Sequence, residues 1–166
     1  MNEEIALIVH NIRSAYNVGS MIRTAEGLGI KKVFVGGYSP YPRQKDDERL
    51  PHIAKKVHER ITKTSLGAEE HLNIDHFEHI DELMSRLKKN GYKIIGLEQA
   101  DGSIPLSNCR SRGKLALIVG EEVNGLAPAL KSRCDFIVEI PMKGQKESFN
   151  VATAAAIALY HLSNEK

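Results

Sequence analysis

With 166 residues, 42% of them hydrophobic and 27% charged, the chain has the size and make-up of one globular domain with a buried core. Its 23 Lys and Arg against 21 Asp and Glu leave a formal charge of +2, which neither demands nor excludes a nucleic-acid partner; local bunching, as at Lys55-Lys56 and from Arg110 to Lys114, matters more than the total. The distant Cys109 and Cys134 exclude a disulfide framework and a thiol-based zinc site, while the acidic start Met1-Asn2-Glu3-Glu4 and the lack of any long apolar run exclude a signal peptide and a bilayer span, so a cytoplasmic protein is expected.

Ile5 to Val9 is continuously apolar, the mark of a strand buried on both faces. Val18, Met21, Ile22, Ala25 and Leu28 then follow a helical period, with Asn17 placed as an N-cap and Gly29 as a terminator. Lys32 to Val35 predicts a second strand, and Ile53, Val57 and Ile61 predict a helix after Pro51. Ile80, Leu83, Met84 and Leu87 predict another, closed by Asn90-Gly91. Strands are predicted at 94–97, 115–119 and 136–140, and an alanine-rich helix from about Ser148 to Leu162. Apolar strands alternating with amphipathic helices give an α/β domain with a mainly parallel sheet flanked by helices. The irregular stretches 38–50 and 99–114 are polar and rich in turn-forming residues.

The usual nucleotide fingerprints are missing. No Gly-x-Gly-x-x-Gly follows the first strand, and Gly120 to Gly125 has P-loop spacing but Leu126 where the phosphate-binding lysine must stand. Ordinary dehydrogenase and P-loop readings fail.

Three other segments carry chemistry. In Asn11 to Ala25, Asn17 and Arg23 sit on a strand-to-helix turn and the helix it opens; free N–H groups and a guanidinium fork suit an RNA phosphate, although taken alone a plain cap and an exposed arginine are the simpler account. In Leu117 to Leu126 a buried strand ends in Gly120, acids and Gly125, where a ligand can approach the backbone, or where the chain merely turns; Glu122 is placed to orient a partner or to pair with an arginine such as Arg23. In Ile140 to Ala152 a strand ends at Pro141, and Ser148 and Asn150 stand where the last helix begins, as caps or as site residues. The run Ala152 to Ala156 suits close backbone packing, at a subunit contact or in the core. His71, His76 and His79, with Asp75 and Glu78, match no zinc spacing.

In order, spacing and content these segments resemble the SpoU (TrmH-like) branch of the SPOUT methyltransferases. The first motif is matched by Asn17, Arg23, Thr24 and Ala25, and the second by Gly120, Glu122, Gly125 and Leu126. Ile140, Pro141, Met142, Gly144, Ser148, Asn150 and Val151 match the third, with Phe149 for the usual leucine and Ala152 where serine is common.

The resemblance implies a single SPOUT domain over 1–166 whose C-terminal segment makes a deep trefoil knot. It implies transfer of a methyl group from S-adenosylmethionine to a ribose 2′-hydroxyl of RNA, tRNA before ribosomal RNA. By carry-over Leu97, Gly120, Ile140, Ser148 and Phe149 hold the cofactor, and Arg23, Asn17, Glu122, Ser148 and Asn150 form the catalytic set. It also implies a homodimer with Arg23 beside a partner's cofactor, no metal, and no additional N-terminal RNA-binding domain. A protonated guanidinium is a poor base, so proton acceptor and phosphate anchor both stay open for Arg23. A non-catalytic RNA-binding or ribosome-assembly module on the same scaffold, and base methylation, are the rival functions. Tyr38, Tyr41, Arg43 and Lys45 either contact substrate or form an exposed connection.

Overall fold

The computed structural model describes residues 4–110 and 112–164; Met1 to Glu3 of the acidic start, and Ser111 of the basic run, lie outside the described residues. Seven strands, β1 (Glu4–His10), β2 (Lys32–Gly36), β3 (Asn73–Phe77), β4 (Tyr92–Leu97), β5 (Ile104–Pro105), β6 (Lys114–Val119) and β7 (Phe136–Glu139), form one parallel sheet in the order β3-β2-β1-β6-β4-β7-β5. The helices are α1 (Ala15–Gly27), α2 (Pro51–Ser65), α3 (Ile80–Lys89), the short α4 (Pro128–Lys131) and α5 (Val151–Asn164). No helix among the described residues is long and apolar enough to cross a membrane.

The middle stretches of the central strands, Ile5 to Val9 and Leu115 to Val119, are apolar at every position because helices cover both faces of the sheet. Leu7, Val9, Ile95, Leu115 and Leu117 face a core built with Val18, Met21 and Ile22 of α1, Ile61 of α2 and Ala155, Ala158 and Leu159 of α5. The alternate residues Ala6, Ile8, Ile94, Ala116 and Ile118 face Leu83, Met84 and Leu87 of α3 and Leu130 of α4. Within the alanine run Ala152 and Ala155 are buried, as is Ala158 after it, and α5 lies against α1.

The structure corrects several local expectations. Ser14 caps α1, its hydroxyl accepting the Asn17 N–H at 3.2 Å, so Asn17 is a first-turn residue whose side chain is left for other work. The buried face of α2 runs through Ala54, Ile61 and Ser65, and Ile53 is exposed. The last helix begins at Val151, with Asn150 as its cap, and β7 stops one residue earlier than expected. The strand β3 escapes sequence reading because it is an edge strand with only Ile74 and Phe77 buried; its pairing with β2, rather than its own pattern, makes it a strand.

Gly19 brings α1 and α2 together: a Cβ there would stand 2.3 Å from the Ile61 carbonyl oxygen and 2.2 Å from Thr64 Oγ1. The loop 38–50 is likewise built rather than loose. Arg49 lies 3.6 Å over the Tyr41 ring, pairs with Asp47 and donates to the Tyr41 and Pro42 carbonyls, while the other face of Tyr41 stacks on His76. Tyr41 is thus an internal strut of the loop.

Candidate active site

Because β6, β4 and β7 are neighbours in the sheet, their C-terminal ends lie side by side, the edge at which open α/β sheets take ligands. A cleft of about 540 Å³ opens there, between the turns at Leu97 to Gln99, Gly120 to Gly125 and Glu139-Ile140, with Glu147 to Val151 along its rim. Leu97, Gly120, Ile140, Ser148 and Phe149, far apart in the chain, all line it. So do five carboxylates, Glu98, Glu121, Glu122, Glu139 and Glu147, and the described lining contains no Lys or Arg.

The turn after β6 is held from the neighbouring strand end. Glu98 accepts the Leu126 N–H at 2.7 Å and the Gln99 N–H at 3.0 Å. Gly125 has φ +64°, and a Cβ there would stand 1.7 Å from Glu98 Oε2, so backbone conformation and the adjoining carboxylate both require glycine. The side chain of Leu126 folds back into the core against Gly120. Glu98 was not singled out from sequence; an acid directly after an apolar strand was the available signal.

At the mouth of the cleft the three motif segments meet. Asn150 Nδ2 donates to Asn17 Oδ1 at 3.2 Å, and Asn17 Nδ2 donates to Glu122 Oε1 at 3.4 Å. The other Glu122 oxygen accepts the Arg13 N–H at 3.3 Å. Asn150 Oδ1 also accepts the Ala152 N–H at 2.9 Å, so one amide caps α5 and ties it to α1. Ser148 lies on the wall of the cleft, ahead of the helix.

Arg23 is not part of this cluster. Six residues after Asn17 on a helix of 3.6 residues per turn, it points to another side of α1, where it is exposed. Of the two readings for Glu122, a pair with Arg23 is not formed among the described residues, and the carboxylate is taken by Asn17 and the Arg13 backbone. Arg13, missed from sequence, places its guanidinium 5.9 Å from the Tyr38 ring centroid. Hydrogen bonds from Tyr38 and then Asn124 hold the Glu121 carboxyl below its ordinary range, and desolvation, then the bond to Glu121, pushes the Tyr38 hydroxyl up.

The sequence profile of the SpoU rRNA methylase family matches residues 4–160. The chain belongs to that family. A Staphylococcus aureus (strain COL) protein assigned to the TrmH family of tRNA/rRNA methyltransferases is 26% identical over 160 residues, covering 96% of this chain and 58% of the relative. This SpoU-family chain thus spans a little under three-fifths of the length of the curated relatives it matches. Among solved structures, an AdoMet-bound rRNA methyltransferase from Sinorhizobium meliloti superposes with a TM-score of 0.80 at 21% identity, covering 97% of this chain and 56% of that one. A chain from structural work on the 2-OH methylation of C/U34 on tRNA gives 0.78 at 20%, covering 98% and 95%. Identities this low show a shared fold, the parallel α/β sheet flanked by helices.

Proposed function

We propose that this chain transfers a methyl group from S-adenosylmethionine to a ribose 2′-hydroxyl of RNA, with tRNA as the substrate. The observation that carries this is the acidic cleft at the ends of β4, β6 and β7. Its volume of about 540 Å³ suits a small-molecule cofactor. Its five carboxylates, uncompensated by Lys or Arg in the described lining, favour a cation, and the donor carries both a sulfonium and an ammonium group. The AdoMet bound by the Sinorhizobium relative supports the same choice.

When bound, S-adenosylmethionine supplies an electrophilic methyl on its sulfonium. Leu97, Gly120, Ile140 and the pair Ser148-Phe149 would hold it. Asn17, Asn150 and Ser148 position the ribose at the mouth. Glu122, an acceptor-only carboxylate held by Asn17 and the Arg13 backbone, takes a hydrogen bond from the 2′-hydroxyl. Alignment for in-line attack is the main service of such a site, since the donor is already reactive.

Arg23 is the phosphate anchor, its planar guanidinium fork gripping a phosphate bidentately. In one copy it lies outside the Asn17 cluster, so the proposal includes a homodimer in which Arg23 of one protomer faces its partner's cleft. Exposed Ile157 and Tyr160 on α5, 38% and 63% accessible, supply apolar surface for that contact. The proposal also includes the family's trefoil knot, supported by the insertion of β7 between β4 and β5, which are successive strands in the chain. The relative from the tRNA work, 95% covered by this chain, supports tRNA over ribosomal RNA.

The test is calorimetric titration with S-adenosylmethionine, followed by incubation with bulk tRNA, nuclease digestion and mass spectrometry. A methyl group on the sugar fragment is expected. A methylated base, or no cofactor binding, overturns the proposal.

A further inference from the structure

The acidic cleft raises a problem for any RNA substrate: five carboxylates face the place where a polyanion must arrive. Positive charge has to lie close by. One local cationic excess lies on α2, where Lys55, Lys56, Arg60 and Lys63 outnumber Glu59 by three. The excess is also directional. Ala54, Ile61 and Ser65 bury one side of the helix; Lys56 and Lys63 project from the opposite side, and Arg60 lies between them and α1. Lys55 is balanced by Glu59 at 3.8 Å, whereas Lys56, Arg60 and Lys63 are all exposed and have no ion pair among the described residues.

The position of this stripe connects it with the site. Thr64 Oγ1 donates to the Tyr16 carbonyl oxygen at 2.9 Å, so the C-terminal end of α2 abuts the residue next to Asn17. Gly19 packs against residues 61–65, and Arg23 follows one helical turn later on that same side of α1. Lys56, Arg60, Lys63 and Arg23 thus flank the α1–α2 junction, one end of which lies at Tyr16, the residue before Asn17 of the Asn17–Glu122–Asn150 cluster. From Lys56 to Lys63 the helix rises roughly 10 Å, enough to reach more than one phosphate of an RNA strand.

We propose that the outer face of α2, through Lys56, Arg60 and Lys63, is an RNA-backbone track that holds substrate phosphates beside the acidic cleft. This rests on the RNA methyltransferase function proposed above and adds where the RNA lies. Contacts of this kind carry affinity and orientation, with no reading of base sequence.

The experiment compares the unaltered chain with a triple variant, Lys56→Gln, Arg60→Gln and Lys63→Gln, and with a charge-matched control on other surfaces, Lys89→Gln, Lys93→Gln and Lys131→Gln. Bulk tRNA binding is followed by fluorescence anisotropy across a salt series, and S-adenosylmethionine binding by calorimetry. The α2 variant is expected to bind tRNA at least roughly tenfold more weakly near 0.1 M salt and to lower the salt slope by about 2 to 3, with cofactor affinity unchanged. The control is expected to lose much less. Equal affinity and slope in the α2 variant, or an equal loss in the control, overturn the track. Failure of the unaltered chain to bind S-adenosylmethionine overturns the methyltransferase proposal by itself, and failure to bind tRNA overturns both.

Discussion

Asn150 donates through its side-chain amide to the side chain of Asn17, 133 positions earlier in the chain, and with the same side chain's oxygen caps α5. One residue therefore fixes the start of a helix and the geometry of the Asn17–Glu122 pair. The two roles are separable. Asn150→Asp keeps the capping oxygen and loses the amide donor; it should leave stability within a few tenths of a kcal/mol while cutting methyl transfer at least roughly tenfold. Asn150→Ala should in addition lose about 1 kcal/mol of stability. Urea melts and initial rates on the same preparations check both.

Gly125→Ala meets two obstacles, a φ of +64° and the Glu98 carboxylate 1.7 Å from the new Cβ. The backbone strain alone is worth about 1–3 kcal/mol. Displacing the Glu98 carboxylate also releases the Leu126 N–H that it binds. The expected outcome is a lower melting temperature and at least roughly tenfold weaker S-adenosylmethionine binding, read by calorimetry.

Arg23→Ala should leave the melting temperature nearly unchanged, since the residue is exposed and lies outside the Asn17 cluster. If Arg23 acts on a partner's cleft, it and Asn150 belong to different halves of one composite site. Mixing two impaired proteins, Arg23→Ala and Asn150→Asp, should raise activity to about a quarter of the unaltered level as subunits exchange. No recovery after verified exchange would place both residues in one protomer's site.

The Arg49 guanidinium beside Asp47, together with the N–H groups of Gln44 and Arg49, holds the Asp47 carboxyl far below the usual carboxylate range. A depressed folded-state value contributes stability that is full above the unfolded value near 4 and is lost as pH falls through the folded one. Asp47→Asn should therefore destabilise the chain at pH 7, and the difference from the unaltered protein should shrink steadily below pH 4. Thermal melts of both proteins between pH 2 and pH 7 measure this.

Burial pushes the Cys134 thiol up to about 11, and its sulfur lies 3.4 Å from the Leu130 carbonyl oxygen, to which it donates. At pH 8 almost no thiolate exists there. Alkylation by iodoacetamide should be at least roughly a hundredfold slower at Cys134 than in the unfolded chain, as peptide mass spectrometry would show.

The layered α/β class was legible in the sequence because it rests on local pattern. Ile5 to Val9 and Leu115 to Val119 are apolar at every position, which only a sheet covered on both faces explains, and the 3.6 period of Val18, Met21, Ile22 and Ala25 survives any neighbour. Elements whose character depends on a neighbour were hidden: β3 is a strand by virtue of β2, and α2 turns Ile53 outward because Gly19 draws Ile61 and Ser65 against α1.

For the site, the chain alone determined which residues matter to a SpoU-family motif, since residue identity and spacing are one-dimensional facts. Tertiary structure decided which of them meet. Asn17, Glu122 and Asn150 come together because β6 lies beside β1 and α5 packs on α1, and Glu98 reaches the turn after β6 because β4 is the next strand. Arg23 is left apart by helical rotation. Helical phase and strand order arise from burying a common core, which no single segment encodes.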